Sequence, residues 1–212
     1  MTVGGLSALG RVGRPSQRAL AKQRTREKIL AAAKALFAER GYEGATVRDI
    51  AGAAGMSTGA VFASFTDKSD LFGEIVGAEQ ERLVREMRDA SQGLRGRPAV
   101  EAILDAAARR HMAELPLLNA TMSVLWSQDL GRLMCKRLGR PPAIELIGAV
   151  LKDAAALGAP MADADPELLA EMLWGVYMAA LRRTIRENLD LEALRGLVRD
   201  QVEVLLTGAT RN

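Results

Sequence analysis

Apolar residues recur at helical spacing along nearly the whole chain, and no stretch alternates apolar and polar residues long enough to form a strand. The pattern therefore predicts an all-α fold. Four helices are predicted before residue 90, at about 22–41, 47–54, 58–64 and 68–90. A break at 93–98 is followed by five more, at about 98–114, 117–138, 141–157, 165–188 and 191–206.

Residues 46–64 contain two short predicted helices joined through a glycine. Thr46 and Asp49 have the spacing of a capping box at the start of the first, and Ser57 can cap the second. Gly55 between them can adopt the positive φ of a tight turn. Neither helix is long enough to be stable alone, so the two are expected to pack across one another as a helix-turn-helix.

Residues 26–72 closely resemble the DNA-binding domain of the TetR family of bacterial transcriptional regulators. The matching residues are Ile29-Leu30, Phe37, Gly41-Tyr42, Thr46 to Ala51, Ala54 to Ser57, Gly59, Phe62, Phe65, Lys68 and Leu71. Residues 158–186 resemble the more variable domain that follows it. The resemblance implies a helix-turn-helix DNA-binding domain and a helical ligand-binding and dimerisation domain. The implied parts are a basic flexible arm at 1–21, the DNA-binding domain at 22–72, a connecting helix at 73–90 and the second domain at 91–212.

The resemblance also implies that the helix from Thr58 to Ser64 lies in the major groove of operator DNA. Hydroxyl groups there can donate to phosphates or base edges, a glycine permits close approach of the backbone, and an alanine can touch a thymine methyl. The implied DNA-binding residues are Thr46, Arg48, Ser57, Thr58, Gly59, Ala60, Phe62, Ser64 and Lys68. Helix capping is a second role open to Thr46 and Ser57.

Two of these positions depart from the family pattern. Phe62 stands where tyrosine is usual, so a phenolic hydrogen bond to phosphate is not available. Ser64 stands where a larger residue, often histidine, is common. Both changes weaken the grip of this helix on phosphate, and we expect the basic arm to compensate.

The net charge of +3 is unevenly distributed. Residues 1–28 contain seven Lys and Arg against Glu27, a net charge of +6, which leaves −3 for the rest of the chain. Clustered cations are typical of a segment that binds a polyanion, with Arg11 and Arg14 as the candidate contacts. Gly13-Arg14-Pro15 resembles minor-groove hooks. A solvated basic tail without a partner is the alternative.

Apolar residues cover more than one face of the helix at 165–188, and the helix at 191–206 also has a continuous apolar face. One side of each helix can pack on its own core and the other on a second copy. These helices are therefore predicted to form a four-helix bundle across the two-fold axis of a homodimer, as the resemblance implies. A helix buried within a monomer is the alternative.

The resemblance further implies a small apolar or amphipathic effector inside the second domain. Methionine adapts to irregular apolar ligands, and aromatic rings add a stacking face with a polar group. The candidate ligand-binding residues are His111, Met112, Met122, Trp126, Met134, Trp174 and Tyr177. Ordinary core packing is the alternative for each of them.

Other classes of function lack their sequence signals. A single Cys, Cys135, and a single His exclude an intramolecular disulfide and the usual His or Cys metal sites, so no metal or cofactor is expected. No Gly-rich phosphate loop or G-x-S-x-G motif indicates an enzyme. No apolar run reaches the roughly 18 residues that span a membrane, and a cytoplasmic location is expected. The sequence predicts a ligand-responsive repressor, with a DNA-binding architectural or adaptor protein as the alternative.

Overall fold

The computed structural model describes residues 16–157 and 165–208, and this part of the chain is built from α-helices without any strand. The all-α prediction is confirmed. The helices are α1 (Gln17–Gly44), α2 (Val47–Ala53), α3 (Thr58–Phe62), α4 (Lys68–Ala90), α5 (Gly96–Ala113), α6 (Leu115–Leu125), α7 (Gln128–Leu138), α8 (Pro142–Ala156), α9 (Pro166–Glu187) and α10 (Leu191–Gly208). None of these helices is both long and apolar enough to cross a membrane.

The single helix predicted at 117–138 is wrong, because the chain breaks between α6 and α7 at Trp126 and Ser127. The Ser127 hydroxyl caps α7 by accepting a hydrogen bond from the Gly131 amide at 3.1 Å. No glycine or proline marks this break in the sequence. Gly131 lies so close to the end of α6 that a Cβ there would stand 2.5 Å from the Leu125 carbonyl oxygen.

The first helix begins earlier than predicted. Ser16 caps α1 at its first turn, so residues 17–21, predicted as part of a flexible arm, are helical. Arg11 and Arg14 of the arm lie outside the described residues. Near its other end α1 is interrupted where predicted, since Gly41 has a φ of 72°, but helical structure then resumes as far as Gly44.

Two clusters of buried apolar side chains hold the helices together. The first contains residues of the four helices α1, α2, α3 and α4 and also includes Leu117, Ala120 and Val124 of α6 and Met134 of α7. The second lies among α4, α5, α8, α9 and α10, and takes Leu118 from α6. Neighbouring positions of α6 thus belong to different clusters, and α6 lies between them.

Candidate functional site

The helix-turn-helix unit is formed by α2, α3 and the turn at Gly55. Both halves of the capping box are present, because the Thr46 hydroxyl accepts from the Asp49 amide while the Asp49 carboxylate accepts from the Thr46 amide. Gly55 has a φ of 68°, which an L side chain would strain. Ile50 and Val61 are buried against the first cluster, so the two short helices are fixed by their apolar faces.

The opposite face of α3 is open to solvent. Ser57, Thr58 and Gly59 are exposed, and the ring of Phe62 is 55% exposed. The Ser57 hydroxyl oxygen accepts from the Ala60 amide at 3.2 Å, which leaves its proton free to be donated. The polar first turn and an unpaired aromatic ring therefore face outward together, as a DNA-reading surface requires.

The remaining α3 candidates are less accessible. Ala60 and Ser64 are both half-buried, and the backbone carbonyl of Ser64 accepts a hydrogen bond from Arg26. Their side chains have little surface to offer compared with Thr58 or Phe62. The helix implied at Thr58 to Ser64 ends earlier, at Phe62, so Ser64 lies beyond α3.

Thr46 and Arg48, at the start of α2, differ in what they can offer a phosphate. The Thr46 hydroxyl donates its proton to the Asp49 carboxylate at 2.6 Å, so that proton is already used. Hydrogen bonds from Thr46 hold the pKa of Asp49 below its usual value. Arg48 is exposed, and within the described residues no carboxylate lies at ion-pair distance from its guanidinium.

Lys68 has an internal role that the sequence did not indicate. Its ammonium donates to the Tyr42 carbonyl at 3.0 Å and lies 4.1 Å from the centroid of the Tyr42 ring. Glu43 is 3.8 Å away. Burial raises the pKa of the Tyr42 hydroxyl to about 12, so the phenol stays neutral. Lys68 therefore ties the end of α1 to the start of α4, and the ammonium has further protons for a phosphate.

Arg26 is a second residue whose role sequence reasoning missed. Its guanidinium donates to the Ser64 carbonyl at 2.6 Å, pairs with Glu74 and lies 4.2 Å from the centroid of the Phe65 ring. One cation of the basic segment thus joins α1 to the end of α3 and to α4. The exposed cations of the same stretch of α1 are Arg18, Lys22, Arg24 and Lys28.

A cavity of about 730 Å³ lies among α4, α5, α6 and α9, a size that accommodates small organic ligands. Its walls are largely apolar. Of the predicted ligand-binding residues, His111, Met122, Trp126 and Trp174 line it. Met112 packs against the second cluster and Met134 is buried in the first, so neither reaches the cavity. Tyr177 is fully buried behind His111.

The partly buried His111 and the buried Tyr177 form a hydrogen-bonded pair, with the imidazole Nδ1 2.6 Å from the phenolic oxygen. If Nδ1 carried the proton, the buried Tyr177 hydroxyl would have no acceptor. If Tyr177 donates to Nδ1, the hydroxyl proton and Nδ1 are both paired and Nε2 carries the ring proton. Burial, with a smaller contribution from Arg110, lowers the pKa of His111 to about 4. The cavity wall therefore presents a neutral N–H donor.

We expect His111 to make the protein less stable in mild acid. The folded-state pKa of His111, about 4, lies below the ordinary value of 6.5. The part of the free energy of unfolding that depends on a neutral His111 is therefore fully present above pH 6.5 and is lost as the pH falls towards 4. Between pH 7 and pH 5 the free energy of unfolding should fall by about 2 kcal/mol through this residue. Urea denaturation of the wild type and of His111→Gln at both pH values measures it. If the two proteins differ in free energy of unfolding by the same amount at pH 7 and at pH 5, His111 does not have a lowered pKa.

An ionic cluster joins the first helix to the cavity wall. Lys34 of α1 pairs with Glu79 of α4 at 2.8 Å and with Glu114 at 3.3 Å, and Arg110 of α5 pairs with both carboxylates. Burial alone would raise the pKa of Glu79, but hydrogen bonds from Lys34 and Arg110 outweigh it and lower the value. Glu79, Arg110 and Glu114 also line the cavity.

The fold and this surface define a helix-turn-helix protein with a second, cavity-containing helical unit. Residues 29–75 match the model of the bacterial regulatory proteins, tetR family. A 48-residue segment is 54% identical to the HTH-type transcriptional repressor AcnR of Corynebacterium glutamicum, covering 23% of this chain and 26% of that protein. A 91-residue segment is 35% identical to the repressor KstR2 of Rhodococcus jostii, covering 42% and 45%.

The similarity of fold extends much further than these segments. FadR from Bacillus subtilis, solved in complex with stearoyl-CoA, superposes with a TM-score of 0.72 over 86% of this chain and 98% of that chain, at 18% identity. The curated relatives are matched over about a quarter to less than half of their length. Residues 29–75 of this chain therefore match the tetR family model, and the chain as a whole shares its fold with the transcriptional regulator FadR.

Proposed function

We propose that this protein is a sequence-specific transcriptional repressor that binds operator DNA as a homodimer and releases it when a small apolar or amphipathic molecule enters the cavity. The observation that carries the proposal is the position of α6. Leu117 belongs to the apolar core of the helix-turn-helix unit and also lines the cavity. A ligand that moves this wall therefore moves the DNA-reading helices.

The DNA-binding part of the proposal rests on the exposed first turn of α3 and the cations around it. Thr58, Ser57 and the Gly59 backbone are the contacts we assign to the major groove. Arg48 and Lys68 are assigned to phosphates, with Thr46 acting as a helix cap. Phe62 contributes apolar contact from its exposed ring. Repression in the named relatives AcnR and KstR2 supports the same activity here.

The effector part of the proposal rests on the apolar cavity and on its physical link to α1. Leu117, Ala120 and Val124 of α6 pack in the first cluster, the shared core of helices α1, α2, α3 and α4. Lys34 connects α1 to Glu79 and Glu114 on the cavity wall. An effector can drive release only if it binds the non-operator arrangement better than the operator arrangement. The α6 packing and the Lys34 ion pairs both connect the cavity wall to α1, so the shape of the cavity can differ between the two arrangements. The stearoyl-CoA in FadR supports an effector with a large apolar part.

The dimer part of the proposal rests on apolar residues of α9 and α10 that the monomer leaves uncovered. Leu168 and Met172 are 56% and 45% exposed, and Gly175 and Ala179 continue the same face of α9. Val204 of α10 is 70% exposed. A Cβ added at Gly175 would meet no atom within 4 Å, so packing within one copy does not require this helix-weakening glycine. Close approach of a second copy would account for it.

We expect Met172→Glu to weaken dimerisation at least tenfold, because a two-fold interface brings the new carboxylate in twice. Sedimentation equilibrium of the full chain measures the monomer–dimer constant. Leu133→Glu is the matched control, since Leu133 is 51% exposed on α7, outside the proposed interface. If Met172→Glu and Leu133→Glu dimerise equally well, this face of α9 is not the interface.

The function itself is tested by binding to DNA that lies upstream of the protein's own gene and of its neighbours. Protection of a discrete palindromic segment, in preference to random DNA, is the expected result, with half-sites about one helical turn apart. Equal affinity for random DNA would refute a sequence-specific regulator. An architectural or adaptor protein is the second candidate, and it would bind DNA without being released by any ligand of the cavity.

Deleting residues 1–15 is expected to weaken operator binding and to flatten its dependence on salt. The deletion removes Arg11 and Arg14 but keeps Ser16, which caps α1. If both cations contact phosphates, the slope of log K against log salt should fall by about 1.8. Fluorescence anisotropy between 50 and 200 mM KCl measures it, and the charge-neutral pair Arg11→Gln, Arg14→Gln controls for loss of chain. An unchanged slope in both variants would exclude the arm from the DNA interface.

A further inference from the structure

The mouth of the cavity lies between α6 and α9. Residues that both line the cavity and are exposed to solvent mark this opening: Asn119, Ser123, Trp126, Arg182 and Arg186. Asn119 and Ser123 of α6 and its C-cap Trp126 are spaced at four and three positions, and the two arginines of α9 at four, so each set lies on one face of its helix. A ligand entering here contacts α6 and α9 together.

The charged groups deeper in the cavity already have partners. Arg110 is 11% exposed at its side chain and pairs with Glu79, Glu86 and Glu114, and Lys34 pairs with Glu79 and Glu114. His111 is held neutral by its environment and offers a single N–H. The interior therefore presents apolar surface and a neutral donor, and it does not require a charged ligand group.

The cations at the mouth are less completely paired. Within the described residues Arg182 has no carboxylate at ion-pair distance, and its guanidinium lies 5.0 Å from the centroid of the Trp126 ring. Arg186 pairs with Glu187 at 3.1 Å, but the same carboxylate is shared with Arg183. Two guanidinium groups at adjacent turns of α9, beyond Ala179 where the proposed dimer face ends, thus border the opening with a net positive charge.

We propose that the effector is an amphipathic anion whose apolar body fills the cavity and whose single oxyanion group lies at the mouth between Arg182 and Arg186. This inference rests on the proposed function, because it takes the cavity as the effector site. Guanidinium groups match carboxylate, sulfonate and phosphate oxygens in planar, paired hydrogen bonds. The indole of Trp126 offers an apolar face next to the charge, where the two parts of such a ligand join.

Two dyes test the proposal because they share one apolar body and differ in charge. 1-Anilinonaphthalene-8-sulfonate carries a sulfonate, and N-phenyl-1-naphthylamine has the same rings without it. Both tryptophans of the chain, Trp126 and Trp174, line the cavity, so quenching of their emission reports binding there. The full-length wild type should bind the sulfonate at least fivefold more tightly than the neutral dye.

The variant Arg182→Gln, Arg186→Gln should lose at least fivefold in affinity for the sulfonate and keep its affinity for the neutral dye, which also shows that the cavity is intact. Arg183→Gln is the matched control, because it removes an exposed cation from the same helix without lining the cavity. An equal loss in Arg183→Gln would overturn the proposal in favour of general surface charge.

The remaining outcomes separate this inference from the proposed function. If the wild type binds the two dyes equally, the anion preference is wrong and the cavity remains a ligand site. If neither dye binds, both the anion preference and the effector role of the cavity are overturned. Neither result bears on the DNA-binding part of the proposed function, which is tested separately by operator binding.

Discussion

Gly59→Ala is expected to stabilise the protein and to weaken its binding to operator DNA at least tenfold. Gly59 is exposed in the first turn of α3, and a Cβ there would meet only the Ser57 hydroxyl, at 3.8 Å. Its φ is not positive, so alanine fits the backbone and should add about 0.4–1 kcal/mol by restricting the unfolded chain. A methyl group would nevertheless separate the backbone from the base pair that, under the proposed function, it approaches closely.

Denaturation in urea and fluorescence anisotropy with operator DNA measure the two effects separately. Gly77→Ala is the matched control, because Gly77 is also helical and a Cβ there meets nothing within 4 Å, but it lies in α4, away from the proposed interface. The control should gain stability and keep its affinity for DNA. If Gly59→Ala also keeps its affinity, the α3 backbone does not approach DNA at this residue.

Gly131→Ala is expected to have the opposite effect on stability, a loss of about 2 kcal/mol. The new Cβ would lie 2.5 Å from the Leu125 carbonyl oxygen and 3.1 Å from that of Val124. These are backbone atoms at the end of α6 and cannot rotate away, so α6 and α7 must separate. The midpoint of urea denaturation measures the loss, again against Gly77→Ala. Wild-type stability in Gly131→Ala would mean that the turn at 126–127 adjusts freely.

The helix-turn-helix was predictable because its signals are local. The capping box of Thr46 and Asp49, the cap at Ser57 and the turn at Gly55 lie within twelve residues, and the structure shows all three. The break between α6 and α7 was missed because its local signal is one serine. The break also needs a residue without a side chain at position 131, where a Cβ would meet the Leu125 carbonyl, and helical periodicity does not reveal this requirement.

Roles that depend on distant partners could not be predicted. Lys68 contacts the carbonyl of Tyr42, 26 positions earlier, and Arg26 contacts that of Ser64, 38 positions later. Without the fold, both residues are ordinary cations of a basic surface. The same holds for Arg182 and Arg186, since arginines spaced by four on a helix are typical of a solvated face. Only the cavity beside them gives these residues a candidate ligand.

Residue type alone predicts seven cavity residues, and three of the seven lie elsewhere for reasons of packing. Met134 was expected beside the ligand, but the turn at 126–127 directs α7 back to α4, where Arg137 pairs with Asp70 at 2.6 Å. Met134 is therefore buried with the helix-turn-helix core. Tyr177 is one layer behind the wall, and its hydrogen bond to Nδ1 sets the tautomer of His111 on the cavity wall.

The length of α1 turns small movements at the cavity wall into large ones at its exposed end. Arg26 is bound to the Ser64 carbonyl and to Glu74, so the segment that projects beyond these contacts runs from Gln17 to Thr25. Nine residues at 1.5 Å each make it about 14 Å long. If α6 tilts α1 by about 10°, the far end is displaced by about 2 Å, more than half the rise of one base pair along DNA. Angular shifts too small to unpack the core can therefore change the register of the cations relative to the phosphates.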